Sequence, residues 1–246
     1  MPLSQILAHV FTTQERTAWQ GLEVPPDREA AYRVQQQMLA RMGTSIAGWK
    51  VGTAPLPDAV WSAPLPQPCV LESPARAQLA RHPVCGLELE LAFRFDREFS
   101  PAILSQTDEE ILEALAFMAL ALEVVSTRYL GWPDVPDLLK LADLQNHGLL
   151  VVGEAVPYDP GFPFLAPTLS LQVNGIEVAR QPGGNPAGDP RRLLPPLVRQ
   201  CVERGVSITP HHWITTGSYS GICFVDAPAH CTGHMEQLPA LALSLS

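Results

Sequence analysis

Leu87-Glu88-Leu89-Glu90-Leu91-Ala92-Phe93-Arg94-Phe95 puts an apolar side chain at every odd position and sets Glu88, Glu90 and Arg94 between them. A period of two is the mark of a β-strand. Glu88 and Glu90 therefore share a face, with α-carbons about 6.6 Å apart, close enough for both carboxylates to reach one cation. Moving outward, Thr107-Asp108-Glu109-Glu110 is a capping box, and it predicts a helix whose stripe is Ile111, Leu115, Met118 and Leu122. Glu123-Val124-Val125-Ser126-Thr127-Arg128-Tyr129 then returns to strand composition. Glu123, set between Leu122 and Val124, is expected to be at least partly buried, and a buried carboxylate needs a metal, an arginine or a proton. Two readings stay open here. Three carboxylates select a hard divalent ion, Mg²⁺ or Mn²⁺ in preference to zinc. Alternatively, Glu88 and Glu90 line the solvated face of an edge strand and Glu123 pairs with Arg128.

Toward the N-terminus, Asp27 and Gly43 bracket a helix over Arg28 to Met42, with Ala31, Val34, Gln35, Met38 and Met42 at helical spacing. Ile46 to Thr53 reads as a strand. Lys50, between Trp49 and Val51, is placed to be desolvated and lowered in pKa toward the range of a base, although a snorkelling surface lysine is the ordinary alternative. Pro55 to Pro68 is too proline-dense for a central strand or a helix, and is read as an extended loop or flap. Further strands are expected at Gly148 to Val152, Leu169 to Val173, Trp213 to Thr216, Ile222 to Val225 and Leu241 to Leu245. Asn174-Gly175 makes a hairpin turn into Ile176 to Ala179, and Leu193 to Arg204 is a helix stopped by Gly205. His211-His212 and Asn146-His147 read as polar loop surface. Hairpins outnumber helices between strands, which predicts an α+β chain with an antiparallel or mixed sheet.

Composition excludes several functions. The chain has 246 residues, 25 Asp and Glu against 16 Lys and Arg, and a formal charge of −9. It has no clustered basic footprint for nucleic acid. The longest apolar run, Ala114 to Leu122, is far short of the roughly 20 residues of a membrane span, and the N-terminus lacks the pattern of a secretory signal, so the expected location is the cytoplasm. Five widely spaced cysteines form no Cys-x-x-Cys pair and suggest neither disulfides nor zinc. Gly217-Ser218-Tyr219-Ser220-Gly221 lacks the central serine of a nucleophile elbow.

Taken in order, Glu29-Ala30-Ala31-Tyr32-Arg33-Val34-Gln35, Gly48-Trp49-Lys50-Val51-Gly52-Thr53, Glu88-Leu89-Glu90-Leu91-Ala92-Phe93, Leu122-Glu123-Val124-Val125-Ser126-Thr127-Arg128 and Thr216-Gly217-Ser218 resemble the 2-keto-4-pentenoate hydratase / 4-oxalocrotonate decarboxylase group of the fumarylacetoacetate hydrolase superfamily. The resemblance spans nearly the whole chain. It implies an α+β mixed β-roll with a helical arm over residues 1–45 and a catalytic core over residues 46–246. It also implies that Glu88, Glu90 and Glu123 bind Mg²⁺ or Mn²⁺, that Lys50 sits at the substrate in a catalytic role, and that Gly217 and Ser218 line the pocket. The implied reaction adds water to a short 2-hydroxydienoate or 2-oxo acid in aromatic catabolism. Decarboxylation, carbon–carbon hydrolysis and a weakened partner subunit are the alternatives. A homo-oligomer, associated with a related decarboxylase or hydratase, is implied as well. The sequence departs from that pattern in three places. The acidic residue expected after the Lys50 motif has no counterpart, Ala142-Asp143-Leu144-Gln145-Asn146 carries leucine in place of an asparagine, and Gln181-Pro182-Gly183-Gly184-Asn185-Pro186 replaces a small glycine-rich run.

Overall fold

The computed structural model describes residues 1–54, 59–182 and 184–246. It begins with α1 (Leu3–Thr13), the short strand β1 (Thr17–Ala18) and α2 (Arg28–Met42). The Asp27 carboxylate accepts from the Ala30 N–H, and Gly43 closes the helix at φ +62°, as the two signals predicted. Next come β2 (Ile46–Thr53), β3 (Val60–Pro66), β4 (Val70–Glu72), β5 (Ala75–Ala77) and β6 (Gly86–Phe95). The capped turn α3 (Asp108–Leu112) leads into β7 (Leu115–Val125), β8 (Tyr129–Leu130), α4 (Asp137–Ala142), β9 (His147–Val152) and β10 (Val156–Pro157). The hairpin of β11 (Thr168–Val173) and β12 (Ile176–Pro182) turns at Asn174-Gly175 and is followed by α5 (Leu194–Glu203). The chain closes with β13 (Trp213–Ser218), β14 (Cys223–Phe224), β15 (Ala229–Met235) and β16 (Leu241–Leu245).

Two mixed sheets result. The larger runs β3-β2-β13-β6-β7-β9-β4, with β10 on β7 and β14 on β6, and the smaller runs β12-β11-β15-β16-β5. The principal core lies between them, joining Leu87, Leu89 and Leu122 to Leu171, Cys231 and Leu243. The sheets approach closely at Gly233, where an added Cβ would lie 2.6 Å from Leu89 Cδ1. A second apolar cluster docks α1, α2 and α4 against Ala63 of β3 through Leu7, Tyr32, Met38 and Leu141.

Three expectations are corrected. The helix opened at Thr107 ends at Leu112, and Leu115–Val125 is a strand paired on both flanks. In a run of unbroken apolar residues every spacing is satisfied, so the apparent helical stripe held no phase information, and a strand buried on both faces needs no alternation. The proline-dense stretch contains the edge strand β3 over Val60–Pro66, where one unpaired flank tolerates Pro64 and Pro66. Residues 55–58 of that stretch, like Gly183 of the later one, lie outside the described residues. Finally, β6 is an inner strand between β13 and β7, which removes the solvated-edge reading of Glu88 and Glu90.

Candidate metal centre

The β6–β7 ladder sets Glu88 directly opposite Glu123. Like charges facing each other across a ladder are destabilising, so the pairing calls for a cation. Glu90 lies two residues along the same face, and ligand oxygens of Glu88, Glu90 and Glu123 all fall within 4.8 Å of one another. Glu90 and Glu123 are fully buried, while Glu88 keeps contact with solvent.

Lys50 reaches this cluster from three strands away, along β2, β13, β6 and β7. In a flat sheet that offset is about 14 Å. Nevertheless, Lys50 Nζ lies 2.7 Å from Glu123 Oε2 and donates to Glu123 Oε1 at 2.9 Å and to the Gln145 carbonyl at 3.3 Å. The sheet must therefore curl around the cluster. Glu90 Oε2 accepts from the Thr215 hydroxyl and from the Gly217 N–H at 3.0 Å, and Gly217 turns toward it at φ +92°, a region where glycine is favoured. Ser218 donates instead to the Gly221 carbonyl at 3.0 Å.

His147 was read as polar surface but is fully buried, with Nδ1 2.9 Å from Glu123 Oε1. A shift in the β7–β9 register between Val124/Leu149 and Val125/His147 turns it onto the Glu123 face. Its place at the head of the apolar run Leu149-Leu150-Val151-Val152 was the signal available in the sequence. Arg128 pairs with Asp143, not Glu123: Nε meets Oδ1 at 2.5 Å, while Nη1 donates to the His147 carbonyl at 2.5 Å and Nη2 to the Asp143 carbonyl at 2.6 Å. Between those two carbonyls, Leu144, Gln145 and Asn146 are all left-handed, at φ +51°, +52° and +58°. Arg128 thus staples both ends of a turn that costs about 1–2 kcal/mol per residue. That turn is what delivers the Gln145 carbonyl to Lys50.

Burial, reinforced by Glu123 and Glu88, pushes the Glu90 carboxyl up to about 8. Burial raises Glu88 as well, against the pull of Lys50. For Glu123 burial acts upward, but the Lys50 ammonium and the His147 hydrogen bond outweigh it and hold the acid below its usual range. The lowered Lys50 expected from the sequence is corrected. Burial does oppose its charge, but Glu123, Glu88 and Glu90 together overcome that penalty and raise it. Burial lowers His147 and keeps it neutral.

These residues fit a hard divalent cation. Among the described residues, Glu90 Oε1 is buried and accepts no hydrogen bond and Glu123 Oε2 meets the Lys50 ammonium alone, so a cation would replace the proton that Glu90 otherwise holds. All the donors are oxygens, which suits Mg²⁺ or Mn²⁺.

No model of a known protein family matches this sequence. Among solved structures, the chain is similar to 4-oxalocrotonate decarboxylase from Pseudomonas putida G7, complexed with magnesium and adipate, at 16% identity and a TM-score of 0.84 over 99% of this chain and 96% of that one. It is also similar to fumarylpyruvate hydrolase from Pseudomonas aeruginosa, in complex with Mn²⁺ and pyruvate (16% identity, TM-score 0.56, 80% and 88% covered), and to 2-hydroxyhepta-2,4-diene-1,7-dioate isomerase from Mycobacterium marinum (14%, 0.57, 82% and 76%). The chain therefore has an α+β fold of the fumarylacetoacetate hydrolase type. Within that type, it follows the fold of the oxalocrotonate decarboxylase over nearly its full length.

Proposed function

We propose that this chain is a divalent-metal-dependent enzyme that hydrates a short 2-hydroxydienoate to a 4-hydroxy-2-oxo acid. Glu88, Glu90 and Glu123 hold Mg²⁺ or Mn²⁺ in this reading, and Lys50 serves at the substrate. The observation that carries it is the set of three carboxylates within 4.8 Å, two of them fully buried, with one lysine joined to it. When bound, the ion supplies positive charge to a chelating 2-oxo acid head and to the enolate oxygen formed during proton transfer.

The chain's own groups prepare that step. Thr215 and Gly217 fix Glu90, while His147 and Lys50 fix Glu123, so the cluster is organised before substrate arrives. Lys50, protonated and held between Glu123 and the Gln145 carbonyl, is an acid placed to give a proton to substrate carbon or to hold a substrate carboxylate. Glu88 marks the side from which solvent and substrate enter. The pocket-lining role of Gly217 and Ser218, a cytoplasmic location and a homo-oligomer that also associates with a related decarboxylase or hydratase belong to the same proposal.

Decarboxylation is the second reading, favoured by the full-length likeness in fold to the decarboxylase; a 2-oxo acid with a second, distal carboxylate conjugated to its ketone would lose that group as carbon dioxide and leave the electron pair as a dienolate, charge of the kind the same groups would hold. Carbon–carbon hydrolysis needs a base open to water. The Glu123–His147 pair has the composition for that role, but His147 is sealed from solvent.

Thermal melts with Mg²⁺, with oxalate as a mimic of the 2-oxo acid head, and with both, test the site. Oxalate is expected to stabilise the chain only when Mg²⁺ is present, and Glu90→Gln to abolish the response. If neither addition moves the midpoint, the enzyme reading fails and a weakened partner subunit takes its place. Product analysis then separates a hydrated acid from carbon dioxide or two fragments.

A further inference from the structure

A second cavity, of about 570 Å³, opens on the reverse of the large sheet. Strand alternation in β9 separates it from the carboxylate cluster: His147 faces Glu123, and the next residue, Gly148, faces Ser126 and His82 on the other side. Phe11, Met42 and Leu71 give it apolar walls, Ser126 and His82 line its base, and Arg76 and Arg81 stand at its mouth. Its volume lies within the range of small-molecule sites.

The two polar side chains at the base are buried without partners. Ser126 is 2% exposed and His82 9%, and among the described residues neither the serine hydroxyl nor either ring nitrogen of His82 makes a hydrogen bond. They are close neighbours. An added Cβ at Gly148 would lie 2.8 Å from Ser126 Cβ and 2.9 Å from His82 Nδ1. Buried polar groups are normally satisfied, so His82 Nδ1, sealed from solvent and without a partner beside Ser126, marks a place where something else fills the role.

The charges above them point to the class of ligand. Arg76 and Arg81 have no carboxylate within ion-pair distance among the described residues, and the Gln14 amide oxygen meets Arg81 when its side chain is correctly oriented. Arg128, also on the wall, is committed to Asp143. Glu15 and the chain end at Ser246 border the same space, the latter bonded to Ala77 and Leu79 between the two arginines, but among the described residues neither acidic group lies within ion-pair distance of Arg76 or Arg81. Two guanidiniums without an ion-pair partner among the described residues, set above hydrogen-bonding groups, are the anchoring points a carboxylate uses.

We infer that this cavity is a second ligand site, separate from the carboxylate cluster, which takes a small organic anion. Its carboxylate meets Ser126, His82, Arg76 and Arg81, and its hydrocarbon body lies against Phe11, Met42 and Leu71. The inference does not depend on which reaction the carboxylate cluster performs.

Calorimetric titration of the full chain in EDTA with 4-phenylbutyrate tests it, with 4-phenylbutan-1-ol as the uncharged control. Saturable binding of the acid without metal is expected, about tenfold weaker for the alcohol and for each of Ser126→Ala and Arg81→Ala, which lose a hydrogen bond to a charged head. Glu90→Gln is expected to bind the acid as the parent does. Absence of saturable binding overturns the site, as does equal binding of acid and alcohol or equal binding by both variants. Binding that requires Mg²⁺, or that disappears in Glu90→Gln, assigns the anion to the carboxylate cluster and overturns it too.

Discussion

Glu90 keeps its proton up to about pH 8 because burial and two neighbouring carboxylates penalise the anion, whereas the unfolded chain loses that proton near 4.5. Between those values the folded state holds the extra proton, so this residue's contribution to stability falls as pH rises. His82, His147 and His212, kept neutral by burial, act in the opposite sense below about pH 6.5, which leaves pH 7 to 8 as the clean window. Metal-free protein is expected to lose melting temperature across that window and Mg²⁺ to bind more tightly as the proton leaves. Glu90→Gln should flatten the profile, and an unchanged slope in that variant would refute the assignment. Lys50→Met separates the two halves of the centre. It removes the proposed proton donor and is expected to lower turnover by about 10²-fold or more. Because it also removes a positive charge from the cluster, Mg²⁺ affinity measured by calorimetry should not fall. Glu88 and Glu90 were legible as a pair because a strand's period is local. The partners of Glu123 were not, since Lys50 and His147 lie 73 and 24 residues away in sequence and no spacing links them.

β2 and β13 run parallel with Gly48 opposite Trp213, and a Cβ at Gly48 would sit 2.4 Å from the Trp213 carbonyl oxygen. Gly48→Ala must push the strands apart, with an expected cost on the order of 1–3 kcal/mol in a denaturant melt. Lys50 rides on the same strand, so turnover should fall along with stability, and a fully active variant would show that the curl tolerates displacement. The Asp143–His147 turn makes a sharper prediction. Arg128→Met leaves Asp143 buried without its counter-charge and is expected to cost about 3–5 kcal/mol. Elements with chemical punctuation were legible: Asp27 and Gly43 framed α2, and Asn174-Gly175 placed its hairpin. β7 was not, because its apolar run carries no alternation, and the left-handed turn was not, because Leu144 and Gln145 adopt it under the constraint of Arg128, and Asn146 alone of the three favours it intrinsically.

At the scale of the molecule, the mixed α+β architecture followed from alternation, hairpin turns and the ordered family resemblance, whereas the curl that closes Lys50 onto Glu123 depends on how the sheet as a whole is packed. The helical arm belongs to that packing. Tyr32 and Met38 share a cluster with Ala63 and Leu141, and Gln35 Nε2 donates to the carbonyls of Ser62 and Leu141 at 3.1 and 2.7 Å. Removing residues 1–45 is expected to abolish cooperative melting of the remainder, and a 46–246 fragment that melts like the parent would make the arm an independent appendage. The outer flank of β3 extends the point. Its Val60 and Ser62 carbonyls are taken by Gln200 and Gln35, and Pro64 and Pro66 carry no N–H. Such a flank, with two carbonyls taken and two N–H groups missing, offers an incoming strand only a broken ladder, which protects the large sheet there against edge-to-edge aggregation. The large sheet's other end, β4, is only three residues long, so at high protein concentration growth by strand addition is expected at β12, the terminal strand of the smaller sheet, which exposes Ile176 and Val178.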